Sequence, residues 1–81
     1  MPSKEQVLAS TTIVFRDILK KDNLKLNRNS TAADIEGWDS WAHINIIVSI
    51  EKNFNIRFSA DEASSLKNIG ELIDLIMKKT K

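Results

Sequence analysis

No cysteine occurs anywhere in the 81-residue chain. Disulfides and thiolate metal sites are therefore excluded, and so is any chemistry that needs a thiol from the protein itself. Long apolar runs are also missing: none approaches the roughly 20 residues that a membrane-spanning helix needs. The opening stretch Met1-Pro2-Ser3-Lys4-Glu5-Gln6 lacks the profile of a secretory leader. A cytoplasmic location without membrane insertion is expected. Charge of one sign is absent too. Twelve Lys and Arg stand against eleven Asp and Glu, a formal net charge of +1, which argues against nucleic acid as a partner. The basic clusters, Lys20-Lys21 and Lys78-Lys79 with Lys81, fall at expected helix ends, where cations complement the helix dipole. The single histidine, His43, has no second histidine or cysteine to join it, so no metal site is expected.

What is present suffices for a folded core. Leu, Ile, Val and Phe account for 24 of the 81 residues, above the level at which disorder sets in. One domain over residues 1–81 is expected. Ser3 and Gln6 have capping-box spacing. Behind them Val7, Leu8, Thr11, Val14, Phe15, Ile18 and Leu19 recur on one helical face until the pattern fades at Lys20-Lys21-Asp22-Asn23. Residues 22–38 then form a long polar connection. Leu24, Leu26 and Ile35 are its expected anchors, and Asn27 to Ser30 is turn material. A second helix is predicted from about Ser40 to Asn53, with Asp39 as N-cap. Ser59 with Glu62 opens a short helix to about Leu66. Asn68 with Glu71 opens a last one carrying Ile69, Leu72, Ile73, Ile76 and Met77. No strand pattern, repeat or low-complexity segment competes. The fold class is all-α: a four-helix bundle of three longer helices and one short helix.

The second helix is more apolar than a surface helix requires. On a helical wheel Ile46, Ile47, Ile50 and Phe54 form a core stripe, while Trp41, Ile44 and Val48 fill a second arc. Either the helix is buried on most of its surface, or the second arc docks partner proteins. Periodicity alone leaves both readings open.

The segment Gly37-Trp38-Asp39-Ser40-Trp41-Ala42-His43-Ile44 marks the start of this helix. Ser40 reads either as an ordinary first-turn serine or as a hydroxyl set where a helix N-terminus favours phosphate. His43 lies three residues on, but a Ser–His hydrolase also needs an orienting group, an oxyanion hole and a pocket. None is evident. No catalytic residue is expected, and His43 falls near the core stripe as a partly buried structural histidine.

The order of elements, Asp39-Ser40 at the head of the second helix, the stretch Ile50-Glu51-Lys52-Asn53-Phe54-Asn55-Ile56 and the ending Ile69-Gly70-Glu71-Leu72-Ile73-Asp74-Leu75-Ile76 together resemble the acyl carrier protein family. The resemblance implies that Ser40 carries 4′-phosphopantetheine as a phosphodiester, with Asp39 beside it to help present it. It implies that Trp41, Ile44 and Val48, with Asn45, Glu51 and Lys52, face partner enzymes. Those partners are a phosphopantetheinyl transferase, which uses coenzyme A and Mg²⁺, and acyl-loading and acyl-processing enzymes. The chain is then a carrier rather than a catalyst, and a monomer by default. The sequence departs from the family pattern in two places. Trp41 replaces the usual leucine after the serine. The second helix is also nearly uncharged outside, which weakens electrostatic steering and points to a specialised stand-alone carrier with dedicated partners. An aminoacyl or peptidyl carrier with the same arm, and an unmodified helical interaction domain, are the alternatives. Helix-turn-helix DNA binding is discounted, because the second helix has one lysine and no arginine.

Overall fold

The computed structural model describes residues 3–80, and Lys81 of the C-terminal basic cluster lies outside them. Four helices follow in order: α1 Lys4–Leu19, α2 Ser40–Phe54, α3 Ala60–Ser64 and α4 Ile69–Lys79. Each starts where a short polar side chain satisfies a free backbone N–H. Ser3 and Gln6 form a reciprocal capping box on α1, as Ser59 and Glu62 do on α3. Asn68 accepts from the Glu71 N–H at 2.8 Å, while the Glu71 carboxylate accepts from Lys67 N–H at 3.2 Å, one residue earlier than a standard box. α1 and α2 both end on residues in the left-handed region, Lys20 and Asn55, each with φ 55°. The two helix boundaries nearest the site match expectation closely, with α2 running one residue further, to Phe54. α3 stops earlier, at Ser64, and Leu66 belongs to the connection that follows.

The core is built from one face of each long helix. α1 supplies Val7, Val14 and Phe15, α2 supplies Ile46, Ile47 and Ile50, and α4 supplies Ile69, Leu72, Ile73 and Ile76. Fully burying a side chain of this size contributes about 1.5–3 kcal/mol. Thr11 sits in the same layer through its methyl group, and its buried hydroxyl has no hydrogen-bond partner. α3 contributes no buried residue.

The connection between α1 and α2 is ordered by its own bonds. Leu26, Ile35 and Trp38 are buried in the core, and Leu24 is half-buried. Ser30 N–H closes the expected turn onto the Asn27 carbonyl at 3.1 Å. The connection is also stitched to α4: Ile69 N–H donates to Ser30 and Gly70 N–H to Arg28, both at 2.9 Å. A Cβ at position 70 would stand 3.0 Å from the Arg28 carbonyl oxygen, so glycine permits this close approach. Arg28 adds an ion pair to Asp74 at 2.9 Å. No described helix is long and apolar enough to cross a membrane.

Candidate functional site at the start of helix α2

The connection reaches α2 through a fixed turn. Gly37 has φ 91°, a backbone region that glycine enters without strain. Trp38 N–H donates to the Ile35 carbonyl at 3.2 Å. The Trp38 indole then turns inward and meets the Phe15 ring edge-on, with centroids 5.0 Å apart and planes at 86°. Its N–H donates to His43 Nδ1 at 3.1 Å. An indole N–H can only donate, so Nδ1 accepts, and the ring proton sits on Nε2. That nitrogen faces the Ala63 carbonyl at 2.8 Å. His43 therefore joins the turn, α2 and α3 while half-buried.

Asp39 is the N-cap of α2, and its carboxylate accepts the Ala42 N–H at 2.9 Å. Ser40 is thus not the cap. It is the first residue of the helix, exposed to solvent, with the positive end of the helix dipole behind it. Beside it opens a cleft of about 470 Å³. Ser40, His43 and Ile44 line one side, Ser64, Leu66 and Lys67 line the other, and Trp38 and Asp39 belong to the same wall.

The outer face of α2 resolves the two readings of its second stripe in favour of exposure. Trp41 is 73 % exposed, Ile44 63 % and Val48 42 %. Inward, Ala42, Ile46, Ile47 and Ile50 are buried, and Phe54 is half-buried. Asn45 stands on the outer face with its amide nitrogen on the Trp41 carbonyl at 2.9 Å. Lys52 is exposed in the last turn. Glu51 is half-buried, and its carboxylate accepts the Phe58 N–H at 2.8 Å, which ties α2 to the connection before α3. The structure therefore gathers Asp39, Ser40, Trp41 and Ile44 at one end of α2, continues through Asn45, Val48 and Lys52, and engages Glu51 with the Phe58 N–H. Trp38, absent from the expected anchors, completes the site from below. The available signal was its spacing from Ile35, which continues an apolar face through the turn. Among the described residues no cluster of three His, Cys, Asp or Glu side chains is arranged to hold a metal.

Comparison with known proteins identifies the family of the chain. The family of the phosphopantetheine attachment site matches residues 12–76. A solution structure of a holo acyl carrier protein from Geobacter metallireducens is 42 % identical, with a TM-score of 0.83 over 90 % of this chain and 84 % of that one. The acyl carrier protein of Thermotoga maritima shares the fold, with a TM-score of 0.83 at 24 % identity over 94 % of this chain and 88 % of that one. An acyl carrier protein of Exiguobacterium sibiricum is 26 % identical over 74 residues, 91 % of this chain and 94 % of that one. The chain belongs to the acyl carrier protein family, the non-catalytic carriers built around a phosphopantetheine attachment site.

Proposed function

We propose that Ser40 is the residue that takes the 4′-phosphopantetheine arm. The observation that carries this reading is that Asp39 performs the capping, leaving the exposed Ser40 hydroxyl at the helix head beside an open cleft. A helix N-terminus stabilises an attached phosphate, and Lys67 on the far wall adds a positive charge. The site thus fits a phosphodiester. In the loading step Ser40 Oγ attacks the β-phosphorus of coenzyme A. A phosphorus–oxygen bond forms to Oγ, the bond to the bridging oxygen breaks, and adenosine 3′,5′-bisphosphate leaves. The serine proton passes to a base of the transferase. Once attached, the arm supplies the terminal thiol that this cysteine-free chain lacks, and holds acyl cargo as a thioester.

Partner recognition falls to Trp41, Ile44 and Val48, flanked by Asn45 and Lys52. As a family member the chain serves a phosphopantetheinyl transferase and acyl-processing enzymes in general. The scarcity of acidic residues on this face supports a dedicated partner set chosen by apolar contact rather than by long-range steering. A specialised carrier is the reading that follows.

Intact-protein mass spectrometry tests the assignment. The chain is incubated with coenzyme A, Mg²⁺ and the host's transferase, with Ser40→Ala in parallel. The expected result is one phosphopantetheine gained by the parent and none by Ser40→Ala, with equal helical circular dichroism. Equal gain by both proteins, or gain by neither, overturns it.

A further inference from the structure

We propose that His43 is a positioning residue that ties α3 to the turn before Ser40, and that the tie releases when the imidazole takes a second proton. α3 is the least anchored element of the fold. It has five residues, none of them buried. Its polar ties to other helices, among the described residues, are the His43 bond to the Ala63 carbonyl and the ion pair of Glu62 with Lys79 at 2.9 Å.

The first of these ties depends on protonation. Trp38 N–H needs an acceptor at Nδ1, and the Ala63 carbonyl needs a donor at Nε2. Only the neutral Nε2–H ring satisfies both. A proton on Nδ1 makes both nitrogens donors and sets N–H against N–H across 3.1 Å. The indole is braced on its other side by Phe15, so the imidazole is the partner that yields. It lies at 29° to the indole, with centroids 5.9 Å apart.

Charged groups around the ring come from each neighbouring element. Asp39 at the head of α2 and Lys67 after α3 line the same cleft. Glu62 on α3 is engaged by Ser59 and Lys79. The connection supplies only Ala32 and Trp38 to the cleft. Because His43 forms one wall, and Ser64, which follows Ala63, and Leu66 form the other, the tie sets the width of the cleft beside Ser40. That consequence rests on the reading of Ser40 as the arm's attachment point; the tie itself does not.

The test uses the full unmodified chain carrying Trp41→Phe, so that Trp38 is the sole indole. Its indole N–H resonance and the backbone amides are followed from about pH 8 downward, for as long as the Ile46 and Ile50 amides report an intact core. The expected result is an upfield move of the Trp38 indole resonance along a one-proton curve. The Ala63 and Leu66 amides follow the same curve, while those of Ile46 and Ile50 stay still. His43→Gln, whose amide also offers one acceptor and one donor side, removes the step. A Trp38 signal that does not move, or a step that survives in His43→Gln, overturns the proposal. Since no arm is present, this outcome is separate from the success or failure of loading at Ser40.

Discussion

Trp38 and Trp41 flank the start of α2, and one is 8 % exposed where the other is 73 %. The residue type is the same, so the difference lies in direction. Trp38 belongs to the turn and faces inward, where Phe15 of α1 meets its ring and His43 of α2 accepts its N–H. Trp41 belongs to the first helical turn and continues upward into Ile44 and Val48 along one face. A buried aromatic removes on the order of 150–250 Å² from water. Trp38 spends that area on fixing the residues before Ser40. Trp41 leaves its area open, next to two more exposed apolar residues, Ile44 and Val48, and this contiguity is what supports the proposed docking role. One tryptophan holds the turn before Ser40, and the other stands in solvent.

Five substitutions at four positions test that division, and the largest effect should come from the inner ring. Trp38→Ala opens the core and leaves His43 Nδ1 without its donor, so a loss of about 3–5 kcal/mol is expected in chemical denaturation. A loss similar to that of Trp41→Ala would erase the distinction. Next comes the cap. Asp39→Ala should cost about 1 kcal/mol, whereas Asp39→Asn should hold stability within a few tenths yet slow loading if the charge helps present Ser40. Unchanged loading kinetics in Asp39→Asn would confine Asp39 to capping.

A smaller effect is expected where the connection is pinned on its far side. The hydrogen bond from Arg28 holds the Asp74 carboxyl below its ordinary value of 3.8. A lowered carboxyl stabilises the fold above that value and loses the contribution as pH falls through the folded one. This pair is half-exposed, so Asp74→Asn should cost less than about 1 kcal/mol at neutral pH. The two proteins should converge in acid, as thermal melts at a series of pH values would register. The smallest change in stability belongs to Trp41→Ala, within about 0.5 kcal/mol, while acyl transfer to partner enzymes falls. A large fall in melting temperature instead would place Trp41 in the core.

Most of the fold is legible in the sequence because its helices begin with side chains that have only one good place to bond. Ser3, Asp39, Ser59 and Asn68 each precede an apolar period, and each is an N-cap. The anchors Leu26 and Ile35 are legible for a different reason, as isolated apolar residues in a polar stretch. Trp38 is less so: its spacing from Ile35 is a weak signal, a tryptophan beside a cap serves inside or outside, and the packing against Phe15, 23 positions earlier, decides. The engagement of Glu51 is hidden for a similar cause. Its partner is a backbone N–H at Phe58, and backbone donors leave no mark on composition or periodicity. The two stripes of α2 could be drawn on a wheel, but which one faces water depends on where α1 and α4 pack. That is a tertiary fact.

The most direct test of the account is to isolate the chain from its own host and sequence its tryptic peptide Asn29–Lys52 by tandem mass spectrometry. This peptide holds three serines, Ser30, Ser40 and Ser49. The account predicts a phosphopantetheine mass on Ser40. The same mass on Ser30 or Ser49, or a peptide that is unmodified throughout, would contradict it.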